Sequence, residues 1–122
     1  MQSPWRLVSG GVTAPQGFVA SGIAAGLKPS GKPDLAMLLA PEAAACAGAF
    51  TTSVVRAACV DLCHERLVST GGRARTVLIN SGQANACTGD RGLIDSQRAT
   101  QALADQLGLD SEAVLILSLI HI

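Results

Sequence analysis

Val77 to Gly92 read VLINSGQANACTGDRG, and how this stretch divides decides the fold. The branched apolar residues of RTVLI, Arg75 to Ile79, fit a central strand. From Asn80 onward the apolar character breaks, and Asn80, Ser81, Asn85 and Thr88 offer short hydrogen-bonding side chains at the strand's end. Gly82 and Gly89 let backbone groups come close to a ligand or to each other. Two readings stay open on chemistry alone. The segment is either a self-satisfied strand-to-helix loop, its Asn residues bonding nearby amides, or a loop that faces a ligand and supports an active site.

Working outward, Gly71 and Gly72 punctuate the approach to this strand. On its far side, Asp95 is placed to cap a helix running to about Leu107, with Ala99, Ala102, Leu103 and Leu107 on one face and Gly108 ending it. Ile94 is expected to staple onto Ala99 across the cap, although Arg98 at the third helical position rules out the reciprocal capping box. Ala113 to Ile122 return to an apolar strand pattern. Toward the N-terminus, Gly10 to Gly31 repeatedly interrupt any helical period with Gly and Pro and predict short strands joined by turns. The run LAMLLA, Leu35 to Ala40, is short enough to favour a buried strand over a helix. After Pro41, EAAACAGAF predicts a short turn or loop, followed by a strand at Val54 to Leu62. Strands and helices in this order give an α/β class, with one domain over residues 1–122. The apolar strand at the C-terminal end has no later element to cover it, which raises the expectation of a fragment or of a partner chain.

Bulk properties narrow the function. Nine Lys plus Arg balance nine Asp plus Glu, so there is no basic field for a phosphate backbone. With two Phe, one Trp and no Tyr, platforms for stacking bases are nearly absent. Nucleic acid is therefore disfavoured as a partner. No run approaches the roughly 20 apolar residues that a membrane crossing needs, and no leader pattern opens the chain; a soluble cytoplasmic protein is expected. Without an export signal, Cys46, Cys59, Cys63 and Cys87 read as packing thiols.

Three candidate sites compete with plainer readings. GLKPSGKP, Gly26 to Pro33, imitates a phosphate-binding loop, but Pro33 stands where a Ser or Thr hydroxyl is needed and removes a backbone donor; an exposed turn fits better. Cys59, Cys63 and His64 suggest the start of a metal site, yet three ligands do not close a structural one. On a strand, the two thiols would also lie two repeats apart, too far for joint ligation or a disulfide. Cys87 with His64 or His121 would make a thiol dyad only if folding brought them together with an orienting group. No metal or cofactor is expected from these residues.

Four strings taken together, GGVTAPQGFVASG (Gly10 to Gly22), AGLKPSGKPDLAML (Ala25 to Leu38), AGAFTTSVVRAA (Ala47 to Ala58) and ARTVLINSGQANACTGDRG (Ala74 to Gly92), resemble the N-terminal region of the ornithine acetyltransferase family, the bifunctional glutamate N-acetyltransferases of arginine biosynthesis. The resemblance extends to about Leu117. It implies an αββα layered fold, incomplete in this chain, and an enzyme that cuts itself before a threonine. That threonine would carry acetyl from N-acetylornithine to glutamate, with acetyl-coenzyme A a substrate of some members. The mechanism implied is a double displacement in which an oxyanion hole stabilises each tetrahedral intermediate. The nucleophile falls downstream of Ile122, so no threonine here inherits its role and no catalytic residue is assigned. Substrate-site support is expected from Asn80, Ser81, Gly82, Asn85, Thr88 and Gly89. Departures are Ser53 for the usual Asn, Cys59 for the usual Pro, and Leu119, Ile120 and His121 after Ser118, where the family continues into the Thr-Gly pair of the oxyanion hole. The expectation is a chain inactive alone, completed by a missing catalytic chain or by self-association. The alternative is a non-catalytic partner subunit or structural interaction protein of the same descent; a thiol enzyme using Cys87 comes third.

Overall fold

A computed structural model of the protein describes residues 3–119. Its elements run β1 (Val19–Ile23), β2 (Leu35–Ala45), α1 (Ala58–Ser69), β3 (Arg73–Ser81), α2 (Gly89–Leu107), a single 3-10 turn (Ser111–Ala113) and β4 (Val114–Leu119). The strands form one sheet in the order β1-β2-β3-β4. The first two pairings are antiparallel, and β3 and β4, joined through α2, are parallel. The expected strands at Leu35 and Arg75 are present, and of the one expected over Ala113 to Ile122 the structure shows Val114–Leu119, the last three positions lying outside the described residues. β2 runs on through Pro41 to Ala45, however, so the loop expected at EAAAC begins later. Pro41 is tolerated because the β2–β3 register shifts between Leu39 and Ala44, leaving no ladder bond for it to break.

Register fixes the two faces. Leu78 pairs with Met37 and Ile116, whereas Ile79 pairs with Ala36 and Leu117, and alternation sends the two sets to opposite sides. α2 covers the first side: Ala99 and Leu78 both pack against the core cluster that holds Ile116, and Leu103 and Met37 line one shallow pocket. On the second side Leu115 is buried, but Ala36, Leu38, Val77 and Ile79 are only partly buried and Leu117 is 47% exposed.

The strand expected at Val54 to Leu62 is overturned. Ala58 starts a helix, and its buried residues Cys59, Leu62, Cys63 and Arg66 follow the i, i+3, i+4, i+7 spacing of one helical face. β-branched Val54 and Val55 suggested a strand, but they are exposed and precede the helix. α1 lies along the outer edge of β4. The Cys63 thiol donates to the Ile116 carbonyl at 3.2 Å and accepts the Ile116 N–H at 3.3 Å. Arg66 Nη1 donates to the Val114 carbonyl at 2.7 Å. Burial pushes the Cys63 thiol up, which keeps the proton it donates. Burial pulls the Arg66 guanidinium down from its usual value, and Glu112 works against that shift.

The cap expected at Asp95 is also corrected. α2 begins at Gly89 with Thr88 before it, which places Ile94 and Asp95 inside the helix and removes the staple. Its fully buried stripe is Gly92, Ser96, Thr100 and Ala104, whereas Ala102 is exposed. At its first position the stripe has no room for a side chain. A Cβ on Gly92 would lie 3.5 Å from the Ala58 Cβ and collide with the Thr88 side chain. Gly108, at φ 64°, ends the helix in the left-handed conformation expected of it.

Candidate functional site

The six predicted support residues all fall between the end of β3 and the start of α2, but they do different work. Asn80 Nδ2 donates to the Gln83 carbonyl at 2.6 Å, closing the turn that leaves the strand. Ser81 is buried, and its N–H donates to the Asp34 carbonyl at 2.8 Å. Gly82, at φ 96°, faces Lys28, and a Cβ there would come within 2.7 Å of the Lys28 Cγ; close approach and backbone angle both require glycine. Asn85 is the hub. Its Nδ2 donates to the Gly92 carbonyl at 3.3 Å and to Ser96 Oγ at 3.2 Å, its N–H donates to Ser118 Oγ at 3.2 Å, and its carbonyl accepts the Ala58 N–H at 3.2 Å. One residue thus ties the loop to α1, α2 and β4. Thr88 donates weakly to the Asn85 carbonyl at 3.4 Å, and Gly89 opens α2 at φ 57°.

Sequence reasoning missed three residues of this arrangement. Ser118 figured only as the point where the family pattern breaks, yet its Oγ donates to the Gln83 carbonyl at 2.8 Å as well as accepting from Asn85. Ser96 lies fully buried beneath Asn85. Asp34 is buried, and its carboxylate accepts the amides of Ala25 at 2.6 Å and Lys28 at 2.8 Å, folding the β1–β2 loop onto the end of β3. Those amides, Ala25 first and Lys28 second, hold the Asp34 carboxyl below the usual carboxylate range. The Pro-Asp pair entering β2 was the available signal for it.

The other candidates separate. Gly26 to Pro33 is an exposed turn in which Lys28 Nζ donates to the Pro33 carbonyl at 3.3 Å. Cys59 and Cys63 are one helical turn apart on a buried face, so the strand geometry used to set them apart does not hold. His64 is exposed and packs edge-on against Phe50, with ring centroids 5.2 Å apart. Among the described residues no group of three His, Cys, Asp or Glu side chains converges, and all four cysteines are free thiols. Cys87 is exposed, at φ 57°, in a shallow pocket of about 230 Å3 whose lining includes Arg56 and Asp61 but no histidine. His64 lines a different pocket, and His121 lies outside the described residues.

This geometry recurs in known proteins. The crystal structure of arginine biosynthesis bifunctional protein ArgJ from Bacillus halodurans superposes with a TM-score of 0.85 at 33% identity, covering 90% of this chain and 56% of that one. Ornithine acetyltransferase from Mycobacterium tuberculosis, solved with ornithine, gives 0.82 at 41% identity over 89% of this chain and 58% of that one. The α/β fold, a mixed sheet with two helices, is thus that of part of the ornithine acetyltransferase domain. In sequence, the arginine biosynthesis bifunctional protein ArgJ of Parasynechococcus marenigrum is 85% identical over 118 residues, 97% of this chain and 29% of the relative. A Prochlorococcus marinus ArgJ is 69% identical over 97% of this chain and 28% of the relative. The chain therefore spans under a third of the curated relatives' length, in their N-terminal part. Residues 19–119 match the model of the ArgJ family, and that span holds all four strands, both helices and the Asn85 hub, so the chain belongs to the ArgJ family.

Proposed function

We propose that this chain is the N-terminal scaffold of a glutamate N-acetyltransferase that moves acetyl from N-acetylornithine to glutamate in arginine biosynthesis, acting in the cytoplasm. The supporting observation is the Asn85 hub set within a family match that runs through every element of the sheet. In this reading a threonine outside the 122 residues attacks the acetyl carbonyl of N-acetylornithine. Ornithine leaves with the hydroxyl proton, and the amine of glutamate then takes the acetyl from the threonine ester. Acetyl-coenzyme A is an alternative donor to the same ester. Asn80, Ser81, Gly82, Asn85, Thr88 and Gly89 contribute by holding the β3–α2 loop in one shape, so that the region following β4 is presented at a fixed distance. The chain alone turns over nothing.

A chimera tests this reading. Residues 3–118 replace the matching region of the Parasynechococcus relative, and self-cleavage and N-acetylglutamate formation are followed. The expected kcat/KM lies within about tenfold of the relative's, about 1.4 kcal/mol of transition-state stabilisation. A folded chimera that neither cleaves nor transfers acetyl would overturn the reading.

The uncovered sheet face favours a second reading, that of a non-catalytic partner subunit. Leu117 is 47% and Leu119 41% exposed, next to partly buried Val77 and Ile79, and such a patch drives association. Sedimentation over a concentration series, alone and mixed with the Parasynechococcus relative, decides, since a chain that stays monomeric in both undercuts the need for a partner.

A further inference from the structure

β1 is an edge of the sheet, and its sequence carries none of the devices that ordinarily close one. VASGI, Val19–Ile23, has no charge and no proline, every residue in it is exposed, and its pairing with β2 runs without a bulge. A bare strand edge of this kind is a template for another strand. Alternation gives it two unlike sides. Val19, Ser21 and Ile23 pair with Leu39, Met37 and Leu35 and so share the α2 side of the sheet, where Ser21, Ile23, Met37, Leu78 and Leu103 line a shallow pocket of about 150 Å3. On the other side Ala20 and Gly22 leave space, and a Cβ on Gly22 would meet nothing within 4 Å.

The same chain carries an apolar segment of strand-like composition that pairs with nothing among the described residues. Residues 5–9, WRLVS, lie ahead of two exposed turns at residues 11–14 and 15–18. Trp5 is 86%, Leu7 100% and Val8 71% exposed, a run of apolar surface that marks an interaction site. Its alternation matches the edge. With Trp5 and Leu7 directed over the pocket beside Ile23, Arg6 and Val8 fall on the side where Ala20 and Gly22 are small. The chain's own course leads this arm away from its own edge. Gly17 lies so close to Pro41 that a Cβ there would come within 2.7 Å of the proline Cγ, so the chain still follows β2 two residues before β1 begins, and the outer side of β1 stays open.

We propose that two copies of this chain dimerise by exchanging these arms, residues 5–9 of each adding as a fifth strand to β1 of the other. A twofold axis makes the exchange reciprocal and closed. Pairing β1 with β1 instead would leave Trp5 and Leu7 in water and the pocket unfilled. Two arms on two edges bury on the order of 1,000 Å2, an aromatic side chain alone contributing about 150–250 Å2, and that reaches the size of a specific contact. This surface is separate from the exposed sheet face around Leu117, and the proposal rests on neither functional reading above.

The sole tryptophan of the chain lies in the arm, so its emission reports where the arm is. Sedimentation velocity and Trp5 fluorescence are followed on the 122-residue chain up to about 1 mM. A dimer is expected to form, with the emission moving from that of an exposed indole toward the blue over the same concentration range and amide exchange slowing across Val19–Ile23. A chain lacking residues 1–9 should stay monomeric. Leu7→Asp, at a fully exposed position whose change leaves the packing of the monomer untouched, should weaken the dimer at least about tenfold. A wild-type chain that is monomeric at every concentration would overturn the proposal. So would a dimer that persists without residues 1–9, the result expected of association through the Leu117 face or of β1 against β1, and so would a blue-shifted Trp5 in the dilute monomer, the sign of an arm folded onto its own edge. None of these outcomes bears on acetyl transfer, which the chimera tests separately.

Discussion

The two faces of the sheet are built from the same strands with nearly the same residues, yet one is covered along β4 and the other only at Leu115. Ile116 is 5% exposed beneath α2 and Leu117, the next residue, is 47% exposed on the other side. A surface strand of an antiparallel sheet would alternate apolar with polar, whereas VLILSL in β4 and TVLI in β3 are apolar on both sides, the composition of strands buried on both faces. The difference locates the unfinished business of the fold. The helices that cover the first face lie within these 122 residues, and the other face keeps an apolar composition while staying partly exposed.

The strongest test of that contrast is a pair of truncations. Ile116→Ala should cost about 2–5 kcal/mol in urea unfolding and Leu117→Ala below about 1 kcal/mol. In the chimera, where the relative supplies the remaining polypeptide, the cost at Leu117 should rise toward that at Ile116. Equal costs in the short chain would break the comparison. Next in size, Asn85→Ala removes donors to the Gly92 carbonyl and Ser96 Oγ and should cost about 1–3 kcal/mol. It should also speed amide exchange at Ala58 and at position 85, because the loop loses its tie to α2. The smallest effect is a pH dependence. With its folded carboxyl held low by the Ala25 and Lys28 amides, Asp34 binds its proton less tightly folded than unfolded. Its contribution is complete above the ordinary carboxylate value of about 3.9 and is lost as pH falls through the lower folded value. The urea midpoint of the wild type should therefore fall in that acidic window more steeply than that of Asp34→Asn, and parallel curves would remove the role given to its amide bonds.

Strand identity was legible because length and branching are local properties. Leu35 to Ala40, Arg75 to Ile79 and the start of β4 stand out in any window, and Gly108 needs only its position after an apolar helix face. α1 was illegible because its inward face includes an arginine and two cysteines, and because Val54 and Val55 give the preceding segment a strand's signature. The first turn of α2 was hidden by glycines that ordinarily signal loops. Gly92 is there to leave room for the Thr88 side chain folded back over the start of the helix, and its recurrence with Ser96, Thr100 and Ala104 every fourth residue was available as a clue. The site divided along the same line. Asn80 and Asn85 were visible as polar residues after a strand, but Ser118 and Asp34 reach the loop from 33 residues or more away in the chain, and nothing local announces a partner so remote.

The edge of the sheet at β4 has one more implication. A strand offered there would find the Val114 carbonyl held by Arg66 and both ladder groups of Ile116 held by the Cys63 thiol, so joining would mean breaking three bonds and levering α1 away. β1, exposed along its whole length, has no such guard. The sheet is therefore polarised like a crystal with one passivated face. Any widening, whether by the rest of a longer polypeptide, a domain swap or a growing fibre, must proceed outward from Val19–Ile23.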